Sequence, residues 1–131
     1  MLNEMKFRLS EKKHFVLLFI VILSFNLLAQ NKDLKPKVTF VELGSVNCIP
    51  CKQMQPIMKS IEAKYSEQVK VIFYDVWKDD QKKYAQQYGI KLIPTQVFLD
   101  ENGKEFFRHE GFYPEAEIDK LLQGKGLKPK K

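Results

Sequence analysis

The sequence predicts an α/β domain in which a mixed central sheet of about four strands is flanked by three helices. Segments typical of strands and of helices follow one another in the order β-α-β-α-β-β-α. The first two strands are separated by a helix, which is typical of parallel strands with a right-handed crossover. The last two strands are separated by a tight turn, which is typical of an antiparallel hairpin. A sheet with both kinds of pairing is therefore expected.

The first half of the domain contains a buried strand followed by a long helix. Val38–Gly44 is apolar on both faces, as a central strand should be. After a short loop, a helix is predicted from about Cys51 to Tyr65, with Pro50 suited to its first turn. Pro56 inside this helix is expected to bend it. The apolar residues that recur at helical spacing are Met54, Ile57, Met58, Ile61 and Tyr65.

The second half contains another buried strand, a short helix, a hairpin and a last helix. Val69–Val76 is predicted to be the strand, and Asp79 or Asp80 is expected to cap a short helix that ends at Gly89. The other predicted elements are a strand at Thr95–Leu99, a turn at Asp100–Gly103, a strand at Glu105–His109 and a helix that begins at Pro114 and carries Ile118, Leu121 and Leu122 on its apolar face.

Composition limits the possible classes of protein. The chain has 131 residues with 44% hydrophobic and 12% aromatic side chains, which is enough for one domain with a real core. The formal net charge is +6, but many of the basic residues lie near the two ends of the chain. Residues 125–131 are expected to be a basic, flexible, solvated tail. Because no basic stripe is interleaved with exposed aromatic residues, binding to nucleic acid is not expected.

Residues 1–29 have the layout of a targeting segment. Basic residues lead into the apolar run Phe15–Ala29, which would span about 22 Å as a helix, short of the roughly 30 Å hydrocarbon core of a bilayer. A cleaved signal peptide is therefore favoured. Ala29 suits the position before the cut, but Leu27 is not small, so an uncleaved N-terminal membrane anchor is the alternative. Either would place the domain at residues 30–124 outside the cytoplasm, in a periplasm or cell envelope.

The two cysteines carry the chemistry that the sequence predicts. Cys48 and Cys51 follow a strand directly and open a helix. A helix N-terminus offers free N–H groups and partial positive charge, which stabilise a thiolate. Cys48 is the candidate for the first attack on a disulfide, and Cys51, one turn further, is the candidate to resolve the mixed disulfide.

Three other roles are open to this pair. A structural disulfide across so short a loop would stabilise the fold by only about 2 kcal/mol. A zinc site needs two further ligands, and the histidines are limited to His14 and His109. The third alternative is a pair of inert buried cysteines. Redox chemistry is favoured, and no metal site is predicted.

Over about residues 36 to 123 the chain resembles the thioredoxin family. The residues that carry the resemblance are the motif Cys48-Ile49-Pro50-Cys51, the helix proline Pro56, the motif Ile93-Pro94-Thr95 and Gly111 after the last strand. The resemblance implies that Pro94 is a cis-proline facing the cysteines, although a trans bond is the usual state of an X–Pro bond. It also implies a substrate groove formed by Ile49, Pro50, Ile93, Pro94 and Thr95, with Gly111 beside it.

Glu42 is the third candidate catalytic residue. It lies six residues before Cys48 in an apolar strand, where thioredoxin has a buried aspartate. A carboxyl group in an apolar site has a raised pKa and can take the proton of Cys51. The alternative is a strand-end acid that reaches solvent.

The resemblance implies an oxidoreductase that needs no cofactor. We expect an exported monomer that reduces disulfides in protein substrates and is reset by a redox partner. Asn47, Ile49 and Gly44 depart from the thioredoxin pattern Trp-Cys-Gly-Pro-Cys and its further tryptophan, which leaves the direction of electron flow open. The alternatives are a disulfide oxidase or isomerase, or a metal-binding module that uses the CxxC pair.

Overall fold

The computed structural model describes residues 35–130, which form four strands and three helices in the predicted order. The elements are β1 (Val38–Gly44), α1 (Ile49–Tyr65), β2 (Val69–Asp75), α2 (Lys83–Gln87), β3 (Thr95–Asp100), β4 (Glu105–Glu110) and α3 (Glu115–Gly124). The predicted targeting segment, residues 1–29, lies outside the described residues. None of the helices in the described range has the length and apolar character needed to cross a bilayer.

The four strands form one mixed sheet in the order β2-β1-β3-β4. β1 is parallel to β2 and antiparallel to β3, and β3 is antiparallel to β4. This confirms the predicted combination of a strand–helix–strand unit and a hairpin. Leu43 near the end of β1 pairs with Tyr74 and with Thr95, and Thr95 pairs with Glu110. The ends of β1, β2 and β4 and the start of β3 therefore lie together, and we call this the active end of the sheet.

Each face of the sheet covers its own hydrophobic core. Val38 and Phe40 of β1 point to the face covered by α1 and α3, where Phe40 stacks on Phe98 with ring centroids 4.7 Å apart. Val41 and Leu43 point to the opposite face, which packs against the segment containing α2. Because both faces are covered, β1 is apolar on both sides, as its sequence predicts.

The long helix α1 begins two residues earlier than predicted. Cys48 caps it, Pro50 lies in its first turn and Pro56 lies inside it. The helix ends where Ser66 takes a positive φ of 47°. Its buried residues are Cys51, Met54, Met58, Ile61 and Tyr65. The predicted apolar stripe is thus the face that covers the sheet.

The predicted cap of the short helix is wrong. α2 follows Lys82, and no side chain caps it. Asp79 and Asp80 are exposed in the preceding turn, where Asp79 pairs with Lys82 at 3.0 Å. Aromatic packing holds the helix instead, since Tyr84 stacks on Tyr74 with ring centroids 3.6 Å apart. The predicted end is confirmed: Gly89, just after the helix, has φ +60°.

The C-terminal segment packs against the domain, in contrast to the solvated tail that its composition predicted. Leu127 is buried in the core below α1 and α3, with 3% of its surface exposed. The Lys128 N–H donates to Gln68 Oε1 at 3.1 Å, and Gln68 Nε2 donates to the Lys128 carbonyl at 2.7 Å. The Lys130 N–H donates to the Lys64 carbonyl at 2.8 Å. One leucine and a few backbone hydrogen bonds are enough to fix a segment that is otherwise basic and polar.

Candidate active site

The two cysteines lie where β1 gives way to α1, and they form a disulfide with a Cα–Cα distance of 5.2 Å. Cys48 is the N-cap of α1, and the Cys51 N–H donates to Cys48 Sγ at 3.4 Å. Cys48 keeps 9% of its surface exposed, whereas Cys51 is fully buried. Cys48 is therefore the sulfur that a partner molecule reaches first.

The start of α1 is electrostatically suited to a thiolate. No acidic residue occupies the first turn of this helix, so no carboxylate opposes a negative charge there. The Cys51 N–H already points at Cys48 Sγ, and the positive end of the helix dipole adds to this. Once the disulfide opens, this arrangement stabilises the thiolate form of Cys48.

Asp75, which no motif in the sequence singles out, fixes the loop that carries Cys48. Its carboxylate accepts the Val46 N–H at 3.4 Å and the Trp77 N–H at 3.2 Å. Its own N–H donates to Gln81 Oε1 at 2.8 Å. With 3% of its surface exposed, Asp75 ties the loop after β1 to the loop after β2. The available signal was an acid at the end of a buried strand.

Gly44 allows Cys51 to pack directly on β1. A β-carbon at Gly44 would lie 3.2 Å from both Cβ and Sγ of Cys51 and 3.3 Å from Cε2 of Phe73. These distances are closer than ordinary contacts between carbon atoms. The missing side chain that the sequence showed only as a departure from thioredoxin therefore makes room for the buried sulfur.

Pro94 lies at the active end of the sheet, and the Ile93–Pro94 bond is cis, as the resemblance implies. It precedes Thr95, whose partner Leu43 stands one residue before Gly44. The Pro94 carbonyl accepts the Gly111 N–H at 2.7 Å. Gly111 has φ +92°, a conformation that side chains other than glycine rarely adopt. The fold thus brings the two predicted features, Pro94 and Gly111, together.

The predicted substrate-lining residues differ in their exposure. Ile49 is 75% exposed and Pro50 is also exposed, whereas Ile93 is half-buried against the core that contains Val41 and Leu43. Thr95 is fully buried, and its hydroxyl donates to the Leu92 carbonyl at 2.7 Å. The expectation that Thr95 lines the groove is wrong for its side chain, because that side chain braces the turn before β3.

Large exposed apolar side chains lie at the active end of the sheet, where the cysteines also lie. In residues 35–130 they are Val46, Ile49, Trp77, Leu92 and Phe112, which we call the apolar collar. Each belongs to a loop, or to the first residue of α1, at the active end of the sheet. The sequence did not reveal this set, because its members come from four separate segments and periodicity does not report exposure.

Glu42 is buried on the face of β1 that α1 covers. Its side chain has no exposed surface, and burial raises its pKa to about 8. Gln96 Nε2 donates to Glu42 Oε1 at 3.4 Å, which partly opposes that rise. Gly44 lies two residues further on the same face, where an added β-carbon would lie 3.2 Å from Cys51 Sγ. The carboxyl therefore does not reach solvent, and its raised pKa suits it to accept a proton near neutral pH.

His109, the second histidine considered as a zinc ligand, contacts the loop that follows β4. The His109 ring nitrogen Nε2 lies 3.2 Å from the Phe112 carbonyl, and the ring stacks on Tyr113. Across residues 35–130, no three His, Cys, Asp or Glu side chains are grouped as metal ligands would be. His109 therefore packs against the loop that follows β4.

Comparison with known proteins places this site in a family. A family model described as a thioredoxin-like domain matches residues 27–125. The chain is 36% identical over 74 residues to thioredoxin-like protein 1 of Schizosaccharomyces pombe, covering 56% of this chain and 25% of that protein. It is 36% identical over 75 residues to the thioredoxin of Chlamydia caviae, covering 57% of this chain and 70% of that protein.

A solved structure supports the same grouping. The germline-specific thioredoxin protein Deadhead of Drosophila melanogaster matches with a TM-score of 0.60 and 26% identity, covering 71% of this chain and 85% of that one. The fold and the Cys48–Cys51 pair define a thiol-disulfide oxidoreductase. With the family match over residues 27–125, the chain belongs to the thioredoxin-like family.

Proposed function

We propose that this protein is an exported oxidoreductase that reduces disulfides in proteins outside the cytoplasm. The observation that carries the proposal is the Cys48–Cys51 pair at the start of α1, with one accessible sulfur and one buried sulfur. This asymmetry fits a two-step exchange in which one cysteine meets the substrate and the other releases it.

Cys48 performs the first step in the reduced protein. Its thiolate attacks one sulfur of a substrate disulfide, which forms a mixed disulfide and releases the other substrate sulfur as a thiolate. The Cys51 N–H and the start of α1 stabilise the attacking thiolate.

Cys51 performs the second step. Its thiol transfers a proton to the Glu42 carboxylate, and the new thiolate attacks Cys48 Sγ. The bond between Cys48 and the substrate breaks, and the second substrate sulfur leaves as a thiolate. The substrate gains two electrons, and Cys48 and Cys51 become the disulfide that the structure contains. A dithiol partner then resets the pair.

The apolar collar supports a protein substrate. Its members Ile49, Leu92 and Phe112 are 75%, 46% and 44% exposed, and they lie at the same end of the sheet as Cys48, which is only 9% exposed. Such a surface fits an extended segment with apolar side chains on either side of its cysteine. The proposed docking surface therefore consists of the collar with Pro50 and the backbone near Pro94.

The reductive direction and the exported location are supported by different features. Relatives that are themselves named thioredoxin support reduction. The basic stretch and apolar run in residues 1–29 support export. A fusion of residues 1–40 to a reporter that is active only outside the cytoplasm tests export. Reporter activity that is unchanged after charged residues replace the apolar run would contradict it.

Two cysteine variants test the mechanism. We expect Cys48→Ser to abolish reduction of a model protein disulfide, and Cys51→Ser to accumulate a covalent complex with the substrate. The measurements are reduction rate and a gel without reducing agent. Lys52→Ala, next to the pair but exposed, is the control and should form no complex. Normal reduction by Cys48→Ser would show that the mechanism is wrong.

A glutathione redox titration tests the direction. A reductase should have a potential near that of thioredoxin, roughly −270 mV, whereas a strong disulfide oxidant lies at roughly −120 mV. A potential near roughly −120 mV would show that the protein is an oxidase and not a reductase.

A further inference from the structure

A second buried polar side chain faces Glu42. Gln96 of β3 is its partner in the antiparallel register with β1. Both side chains have no exposed surface. One hydrogen bond joins them, from Gln96 Nε2 to Glu42 Oε1 at 3.4 Å. The pair lies on the same face as the aromatic stack of Phe40 and Phe98.

The two remaining oxygens of this pair are both without partners. Among residues 35–130, neither Glu42 Oε2 nor Gln96 Oε1 has a hydrogen-bond partner. Burying such atoms unsatisfied is unfavourable. An ionised carboxylate and an amide oxygen both only accept hydrogen bonds, so they cannot satisfy each other. A single proton on Glu42 Oε2 turns that oxygen into a donor and supplies the missing bond.

We propose that Gln96 is a positioning residue, which holds the protonated carboxyl group of Glu42 through two hydrogen bonds while Cys48 and Cys51 are joined as a disulfide. Gln96 Nε2 donates to Glu42 Oε1, and Glu42 Oε2–H donates to Gln96 Oε1. This inference rests on the proposed role of Glu42 as proton acceptor for Cys51. In the oxidised protein, the proton that leaves Cys51 is therefore held on Glu42 Oε2.

The stored proton completes the cycle. A reducing dithiol partner attacks Cys48 Sγ with a thiolate and expels Cys51 as a thiolate. Cys51 takes the proton back from Glu42 Oε2. The second thiolate of the partner then attacks the mixed disulfide and releases Cys48 as a thiolate. The partner is oxidised to a disulfide, and the two electrons that it loses reduce the Cys48–Cys51 pair.

Packing alone does not explain why a polar amide side chain stands at position 96 in this core. Phe98, which points to the same core, is apolar, whereas an aliphatic side chain at position 96 would fill this space but leave both carboxyl oxygens of Glu42 without a hydrogen-bond partner. The causes of the raised pKa of Glu42 are burial and Gln96, and no charged side chain is among them. From α1, Cys51 reaches this region of β1 through its contact with Gly44. The amide of Gln96 is thus the group placed to orient the carboxyl.

Infrared difference spectroscopy of the full, disulfide-bonded chain tests the proposal. The band of the protonated carboxyl is identified as the one that Glu42→Gln removes. We expect Gln96→Met, which keeps volume but removes both hydrogen bonds, to shift this band to higher frequency. Val97→Ala, on the opposite face of the same strand, is the control for a packing defect and should leave the band in place. An unshifted band in Gln96→Met overturns the proposal, as does the absence of a Glu42 band at about pH 7.

A kinetic measurement gives a second readout. We expect Gln96→Met to slow resolution of the mixed disulfide about tenfold, a fraction of the 10²–10⁴-fold that a placed general base contributes. Formation of the mixed disulfide by Cys48 should stay unchanged, and Val97→Ala should change neither step. Equal slowing of both steps would overturn the positioning role.

One experiment avoids any change at Gln96, in case Gln96→Met does not fold. The side-chain amide NMR signals of Gln96 in the unaltered chain should titrate with Glu42, and the titration should vanish in Glu42→Gln. Amide signals that do not titrate overturn the proposal. These readouts do not depend on the direction of disulfide exchange, so a failure of the proposed function, seen as normal activity of Cys48→Ser, is distinguishable from a failure of this inference.

Discussion

Burial of the Glu42 carboxyl links the stability of the domain to pH. Its pKa is about 8 in the folded protein, against an ordinary value of 4.5. Between these two values the folded form binds a proton that the unfolded form has lost. The free energy of unfolding therefore falls as pH rises through this window. At about 1.4 kcal/mol for each pKa unit, the loss is on the order of 5 kcal/mol.

Replacing Glu42 by glutamine should remove most of this dependence. We expect Glu42→Gln to be more stable than the unaltered chain at about pH 9, with a nearly constant free energy of unfolding from about pH 5 to pH 9. Urea unfolding of the disulfide-bonded forms measures it. Glu117→Gln, on the exposed face of α3, is the control and should keep the decline. A decline that persists in Glu42→Gln would assign it to another group.

A methyl group at Gly44 should disturb the buried sulfur. Gly44→Ala places a β-carbon 3.2 Å from Cys51 Sγ, and we expect a loss of about 1–3 kcal/mol from this overpacking. Thermal unfolding and the rate of mixed-disulfide resolution are the measurements. Gly124→Ala, where a β-carbon meets nothing within 4 Å, should cost nothing. Equal stability of Gly44→Ala and the unaltered chain would show that β1 and α1 separate without penalty.

Single residues were predictable from sequence where their chemistry is local. Cys48 and Cys51 stand in one short motif after a strand, so their position was readable. Gln96 and Asp75 were missed because their partners are 54 and 29 residues away and depend on strand register and loop packing. The role of Thr95 was misjudged because the motif does not show which way its hydroxyl turns.

At the scale of elements, a partly buried polar cluster joins α1 to α3. Lys64 Nζ lies 2.7 Å from Glu115 Oε1 and 2.6 Å from Asp119 Oδ2. The Tyr65 hydroxyl donates to Asp119 Oδ1 at 2.9 Å, and the Ser60 hydroxyl donates to Glu115. The positive charge of Lys64 lies between two negative charges. It lowers the pKa of Glu115, and the two carboxylates raise the pKa of Lys64.

Removing one carboxylate from this cluster should weaken the contact between the two helices. We expect Asp119→Asn to reduce the free energy of unfolding by about 1 kcal/mol, because Asp119 has two partners and its side chain is only 20% exposed. The loss should shrink at high salt. Asp79→Asn breaks a pair whose carboxylate is 98% exposed and should change nothing measurable. Equal changes in the free energy of unfolding for Asp119→Asn and Asp79→Asn would show that the cluster does not stabilise the contact between α1 and α3.

Elements with a strong internal pattern were predicted well. β1, α1 and the hairpin follow from runs of apolar residues, from periodicity and from the turn before Glu105. α2 was predicted with the wrong start, because this helix depends on Tyr84 packing against Tyr74 rather than on a cap. Such stacking joins residues ten positions apart and has no local signature.

At the scale of the whole molecule, the C-terminal segment completes the core that contains Phe40 and Phe98. Leu127→Ala should reduce the free energy of unfolding by about 2–3 kcal/mol, since Leu127 is 3% exposed among core residues. Lys128→Ala keeps the backbone hydrogen bonds to Gln68 and should be neutral. Denaturant unfolding compares the two. An unchanged free energy of unfolding in Leu127→Ala would show that this segment is a solvated tail, as its composition predicts.

The overall architecture was predictable because the order of elements leaves few ways to pair four strands. Composition misjudged the C-terminal segment because one buried leucine among lysines and glycines has almost no weight in an average. The motifs predicted only the part of the proposed docking surface formed by Ile49, Pro50 and Pro94. Val46, Trp77 and Phe112 were not predicted as part of it, because the fold brings them to the active end from distant parts of the chain.

Trp77 has a practical consequence for anyone who handles this protein. It is the only tryptophan in the chain, it is 60% exposed, and it belongs to the apolar collar. Intrinsic indole emission therefore comes from one known spot on the proposed docking surface. A client that covers this spot should move the emission to shorter wavelength, so its arrival is visible without a dye and before any electrons are exchanged.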